Sequence, residues 1–255
     1  MLGLMTLMLA CATHHPREEL APRLERYSIR VAAEFGPTVS GGIELQSEMT
    51  TELQMVVAME PTRRFRDGSS GRLLSVESAT LTLSGEPLPL DLVGRTAELR
   101  TFPNGEILDV GWGEKLSGPD RYLDVFEIVF PALSPSPPTV DSGATARRRI
   151  IWPFKHARTL RWDNAVDAVW TNTGLKERRW HLEYEGAWAV EGKTRFVESK
   201  VTYGGRGAAT GVVLMDAANG QLVSHEFDWT RTVEVSGLGS VEQKQRFHGT
   251  VGALQ

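Results

Sequence analysis

From Gly42 to Glu60 every second residue of this chain belongs on one side of a strand. Odd positions read Ile43, Leu45, Ser47, Met49, Thr51, Leu53, Met55, Val57 and Met59. Even positions over the same stretch include Glu44, Gln46, Glu48, Thr50, Glu52 and Gln54. A period of two fits a half-buried β-strand and does not fit a helix, whose apolar stripe recurs every three or four residues. At ~3.3 Å per residue the stretch predicts one very long strand, or one that bends without losing register. The run Tyr27, Ile29, Val31, Ala33, Phe35 alternates in the same way. Gly36-Pro37 and Gly41-Gly42 bracket the connection between the two, which predicts a hairpin. Leu222–Val235 repeats the pattern, with Val223, His225, Phe227, Trp229, Val233 and Val235 facing one way and Ser224, Glu226, Asp228, Thr230, Thr232 and Glu234 the other. Asn104-Gly105 and Asn219-Gly220 sit between alternating runs, and both residue types accept the positive φ of a tight hairpin.

Alternation with one wet face and one covered face belongs to antiparallel sheets. The expected fold is therefore all-β with minor α: a large curved antiparallel sheet or half-barrel with one amphipathic helix. Each half begins with long alternating strands and reaches an Asn-Gly turn followed by a run ending in tryptophan, at Trp112 and Trp229. This suggests two similar β-meanders fused into one sheet, with pseudo-repeat halves 27–134 and 139–255 inside a single domain, 27–255. The helix candidate is Pro119–Ala132, opened by Ser117-Gly118-Pro119-Asp120 and carrying Tyr122, Val125, Phe126, Val129 and Phe130 on one stripe. Pro131 and the stretch Ser134-Pro135-Ser136-Pro137-Pro138 are expected to stop it and to mark the seam between the halves.

The chain has one cysteine, Cys11, which closes the uncharged residues 1–10. Met8-Leu9-Ala10-Cys11 resembles the lipobox of bacterial lipoproteins. The resemblance implies a signal peptide over 1–10, acylation of Cys11 (palmitate among the chains), and a flexible tether over 11–26 that holds the domain to a membrane. Ala12 after the cysteine implies sorting to the outer membrane. Ala10-Cys11-Ala12 also fits an ordinary A-x-A cleavage site, which would release a periplasmic or secreted protein. Either way no disulfide can form within the mature chain, and stability must come from apolar burial.

The 28 basic and 32 acidic residues are interspersed, so no basic stripe points to nucleic acid. Arg147-Arg148-Arg149 reads as the charged entry to a strand. Seven tryptophans read as core residues of a large sheet, with an aromatic pocket as the sharper alternative. The histidines form no metal signature. His14 and His15 fall in the tether, and His225 on the apolar parity of its strand predicts a buried, hydrogen-bonded ring. Gly68-Ser69-Ser70-Gly71 reads as a loop, Gly204-Gly205-Arg206-Gly207 as a bend between strands, and Glu183/Glu185 as a solvated pair. No residue is assigned a catalytic role, and no metal or cofactor is expected.

A lipobox, a tether, long curved antiparallel strands and one amphipathic helix together resemble the outer-membrane lipoproteins of the LolA/LolB type, over about residues 27–251. That resemblance is architectural, and implies a location and an apolar cavity lined by Leu53, Met55, Val57, Met59 and Phe126. The expected function is that of a non-catalytic outer-membrane lipoprotein of the bacterial cell envelope, binding an apolar ligand or serving as accessory to an envelope assembly. Its partners would be the membrane, through the lipid anchor, and that ligand or an envelope protein. Two alternatives stand beside it: a structural or adhesive module recruiting a partner protein through its sheet edges, and a secreted hydrolase with an unrecognised cleft.

Overall fold

A computed structural model describes residues 24–102, 106–112, 126–135, 137–138, 141–156, 160–196, 199–237 and 240–254. Cys11, the signal segment and most of the tether lie outside these residues, as does Asn104-Gly105. The chain forms strands β1 Glu25–Phe35, β2 Thr38–Ser40, β3 Ile43–Gln46, β4 Met49–Arg64, β5 Ser70–Leu83, β6 Glu86–Leu88, β7 Thr96–Thr101 and β8 Ile107–Trp112. Helix α1, Phe126–Leu133, follows, and then β9 Thr145–His156, β10 Leu160–Lys176, β11 Arg179–Phe196, β12 Ser199–Asp216, β13 Leu222–Ser236 and β14 Ser240–Leu254.

All fourteen strands belong to one antiparallel sheet, with the order β8-β7-β5-β4-β1-β14-β13-β12-β11-β10-β9 along its main path. The sheet curls into a nearly closed barrel whose seam lies between β8 and β9, which approach each other without pairing. β1 is the keel: Ile29 lies between Met55 and Val251, and Val31 between Leu53 and Gly249. This register puts the apolar parity of every long strand on the inside. Leu53, Met55, Val57 and Met59 are each 3% exposed or less and belong to one core that spans both arms of the sheet. Outward positions are charged or polar instead, including Arg26, Arg30 and Glu34 on β1 and Glu183 and Glu185 on β11. A lipid-facing barrel would carry an apolar band there.

The long strand expected over Gly42–Glu60 divides in two. β1 ends at Phe35, opposite Met49, so residues ahead of Met49 have no β1 partner. They turn back as β3 against β2, which in turn pairs with β14. Alternation persists through the break because side-chain parity does not depend on which neighbour is available; Ile43 is 68% exposed as a result. Asn219-Gly220 forms a longer connection than the two-residue hairpin expected. Asp216 Oδ1 accepts the N–H groups of Ala218 and Asn219, and Gly220 takes φ +70°. A two-residue turn with both central residues at positive φ occurs at Glu177-Arg178 (50° and 63°), flanked by the paired Lys176 and Arg179.

The helix also departs from expectation. Its described residues Glu127–Leu133 are buried at every position, not along one stripe. Such a helix sits within a core, not on top of a sheet. It runs past Pro131 to Leu133: the ring removes one donor, but Ser134 N–H reaches the Phe130 carbonyl at 3.2 Å and completes the last turn. Residues 119–125 of the expected helix lie outside the described ones.

Candidate functional site

The barrel interior is lined by aromatic rings. Trp152, Trp188 and Trp229 form a triangle with centroid separations of 6.1, 5.5 and 5.5 Å, and Phe247 packs edge-on to Trp188 at 5.8 Å. This is the core role expected of the tryptophans, and Trp162 and Trp170 share it. Trp112 has its side chain outside the described set.

Two glycines explain how such large rings fit side by side. Across three adjacent strands Trp188, Gly207 and Arg231 lie in line, and so do Tyr184, Gly211 and Phe227. A Cβ on Gly207 would sit 1.7 Å from the Thr230 carbonyl oxygen, and one on Gly211 would sit 2.5 Å from Tyr184 Oη. At Gly211 the missing side chain lets the Tyr184 ring lie across the strand, and at Gly207 it lets the β13 backbone come close. Gly204-Gly205-Arg206-Gly207 is thus the middle of continuous strand β12 and not a bend between strands. What the glycines supply is close approach, not a change of direction.

Inside this aromatic shell sits a polar cluster that binds a carboxylate. Glu127, in the first turn of α1, is 1% exposed, and Arg231 of β13 is 4% exposed. The Arg231 guanidinium donates Nη2 to Glu127 Oε2 at 2.7 Å and Nη1 to Oε1 at 3.1 Å. Trp162 Nε1 donates to Oε1 at 2.6 Å, and Asn164 Nδ2 donates to the same oxygen. Asn164 Oδ1 in turn accepts Trp188 Nε1 at 3.0 Å and Arg231 Nη1 at 3.2 Å. Arg231 also lies over the Trp188 ring, 4.4 Å from its centroid, and donates Nε to Gln245 Oε1 at 2.7 Å. Gln245 continues to Gln243 and thence to Thr38 at the barrel end. Taking two full charges out of water is expensive unless every lone pair and proton is matched. Here the guanidinium fork is matched to a planar carboxylate, and the spare oxygen sites are filled by an indole and an amide.

A second chain of hydrogen bonds fixes the other end of the helix. Trp229 Nε1 donates to Tyr184 Oη at 2.9 Å, and Tyr184 Oη lies 2.9 Å from His225 Nε2. His225 Nδ1 lies 2.9 Å from the Ala132 carbonyl oxygen. The carbonyl can only accept, so Nδ1 carries the proton, Nε2 accepts from Tyr184, and the imidazole is neutral. Burial drives the His225 pKa down to about 4, against a smaller upward pull from the Ala132 bond. Burial also raises the Tyr184 hydroxyl, so the chain stays in this protonation state at neutral pH. His225 is buried and hydrogen-bonded, as its parity predicts.

On the outside, an open concavity of about 1120 Å³ runs over the polar face, bordered by Glu34, Glu52, Glu183, Glu185, Asp228 and Arg246. Arg246 donates to both oxygens of Asp228 at 3.0 and 2.6 Å and holds that carboxyl below its ordinary range. A second concavity, about 490 Å³, lies on the same outer face, bordered by Glu34, Glu48, Arg206, Thr230, Lys244 and Arg246. Leu53, Met55, Val57 and Met59 line neither of these two; they are packed wall, while Phe126 opens the helix with its side chain outside the described set. Among the described residues no three His, Cys, Asp or Glu side chains are placed to hold a metal ion.

The alternation lists pass over the site. Arg231 stands between Trp229 and Val233, and Asn164 between Trp162 and Val166, each a polar residue on an apolar parity; Glu127 follows Phe126 in the greasy helix. That mismatch was the available signal. Comparison of the chain with protein-family models, with curated proteins and with solved structures gives no match.

Proposed function

We propose that this chain is a non-catalytic outer-membrane lipoprotein, moored through acylated Cys11, whose barrel binds an apolar ligand and thereby serves an envelope process. One observation carries the reading: the barrel is wide enough to hold a whole helix in addition to the side chains of its walls. A barrel path of eleven strands exceeds the roughly eight whose side chains alone fill the interior, and the excess width is what ligand-binding barrels use. Helix α1 occupies that width, tied to the wall by side-chain packing and the two polar networks. Neutral N-phenyl-1-naphthylamine should bind the purified domain saturably at one site and be displaced by long-chain lipids. Cells making the full chain should incorporate labelled palmitate, and the Cys11→Ser variant should not. Absence of saturable uptake would sink the ligand-binding reading, and absence of palmitate incorporation would sink the anchor.

A second reading, recruitment of a partner protein through a sheet edge, draws support from the seam, where β9 pairs, among the described residues, with β10 on one side only. Backbone groups on an unpaired edge can accept an added strand. Crosslinking from a photoreactive residue at Arg149 in cells would trap such a partner, and trapping only lipid or nothing would reject it.

A further inference from the structure

The cluster around Glu127 is built like a receptor for a ligand's carboxylate, and the chain fills it with its own. We infer that Arg231, Asn164 and Trp162 form a head-group site for a long-chain monocarboxylate, and that helix α1, through Glu127, is an internal competitor for that site. The inference rests on the apolar-ligand reading above and names the chemical class of the ligand. Two features carry it. First, the donors belong to the barrel wall, on β10 and β13, and Arg231 is held by wall contacts independent of the helix: Gln245 at 2.7 Å, Asn164 Oδ1 at 3.2 Å and the Trp188 ring at 4.4 Å. Removing the helix would leave a pre-oriented guanidinium fork, an indole N–H and an amide N–H converging on one point. Second, apolar rings surround that point, as an acyl chain requires, and Trp152 Nε1 and Trp170 Nε1 are buried donors with no hydrogen-bond partner among the described residues. The bidentate geometry selects a planar carboxylate over an alcohol or ester, which offers no charge to Arg231.

The test uses the full chain, with cis-parinaric acid and its methyl ester as fluorescent probes. Glu127→Gln keeps the size of the side chain and removes the charge that competes for Arg231, so the acid should bind at least tenfold more tightly than to the parent while the ester should not. Arg231→Gln should abolish the preference for acid over ester. Because either variant could fail to fold, the parent protein supplies an independent readout. 2-Bromohexadecanoate, with its bromine beside the carboxylate, should quench tryptophan fluorescence more strongly than 16-bromohexadecanoate, since Trp162 and Trp188 flank the head-group site. Equal binding of acid and ester by every folded variant, or stronger quenching from the tail bromine, would overturn the carboxylate site while leaving the apolar-ligand reading intact. No saturable binding of either probe would overturn both.

Discussion

Replacing Glu127 by Leu and Arg231 by Met, singly and together, tests whether the buried pair acts as a unit. The carboxylate is 0% and the guanidinium 2% exposed as side chains, with the closest contact at 2.7 Å. Glu127→Leu strands a charged guanidinium whose remaining acceptors are Asn164 Oδ1 and Gln245 Oε1, and leaves Trp162 Nε1 and one Asn164 N–H without the acceptor they had. Arg231→Met leaves a carboxylate that still receives two donors, both on Oε1, and strips Glu127 Oε2 and Gln245 Oε1 of the donor each had. Breaking one side of a buried pair costs about 3–5 kcal/mol. The glutamate variant should fall at the upper end and the arginine variant at the lower. With both charges gone only neutral groups are left unmatched, at about 1–3 kcal/mol each. The double variant should therefore be more stable than the glutamate single, with a coupling energy of at least about 2 kcal/mol. Urea unfolding followed by tryptophan fluorescence reads these differences as midpoint shifts at constant m. At about 2–4 °C per kcal/mol for a chain of this size, the glutamate single should melt roughly 10–20 °C below the parent. Additive losses, or single losses below about 1 kcal/mol, would refute the claim that the pair is dry and mutually dependent.

Stability should also depend on His225 in acid. Its folded pKa of about 4 lies below the ordinary 6.5, so the unfolded chain takes up a proton that the folded chain refuses. The contribution is complete above pH 6.5 and is lost as pH falls from 6.5 to about 4, by about 3 kcal/mol in all. His225→Gln should lower stability at pH 7 and flatten the pH dependence between 6.5 and 4; an unchanged slope in urea titrations at pH 7, 5.5 and 4.5 would reject this. Gly207→Ala introduces a Cβ 1.7 Å from the Thr230 oxygen, against backbone that cannot swing aside. It should cost about 3 kcal/mol, at the top of the overpacking range, and weaken the near-ultraviolet circular dichroism of the tryptophans. A neutral result would mean that β12 and β13 are further apart than the register places them.

Apolar alternation was enough to anticipate the architecture, because parity, unlike pairing, is local. Odd positions from Thr51 to Met59 are buried and Gln54 and Glu52 exposed, as the pattern requires. What the pattern could not carry is which strand lies beside which. β1 and β14 are neighbours from opposite ends of the chain, and no local residue choice encodes that contact. The turn at Glu177-Arg178 escaped for a related reason: its residues are poor at positive φ, so the flanking register must impose a geometry that the dipeptide does not favour. The helix was legible as apolar, but lying on a sheet and lying inside a barrel differ only in how much of its surface is covered, and one stripe of large residues fits both. The site was visible only as a set of violations. Arg231, Asn164 and Glu127 each break an apolar run, and each would be strongly destabilising alone. Glu127 and Arg231 are 104 residues apart in sequence and meet at hydrogen-bond distance. A charged residue on the inner parity of a strand requires a partner of opposite charge somewhere in the same interior. In this chain the demand is met by Glu127, the one carboxylate buried among the described residues, on the helix that the barrel encloses. Exceptions to the alternation, taken together rather than one at a time, therefore point to interior chemistry that the alternation itself cannot reveal.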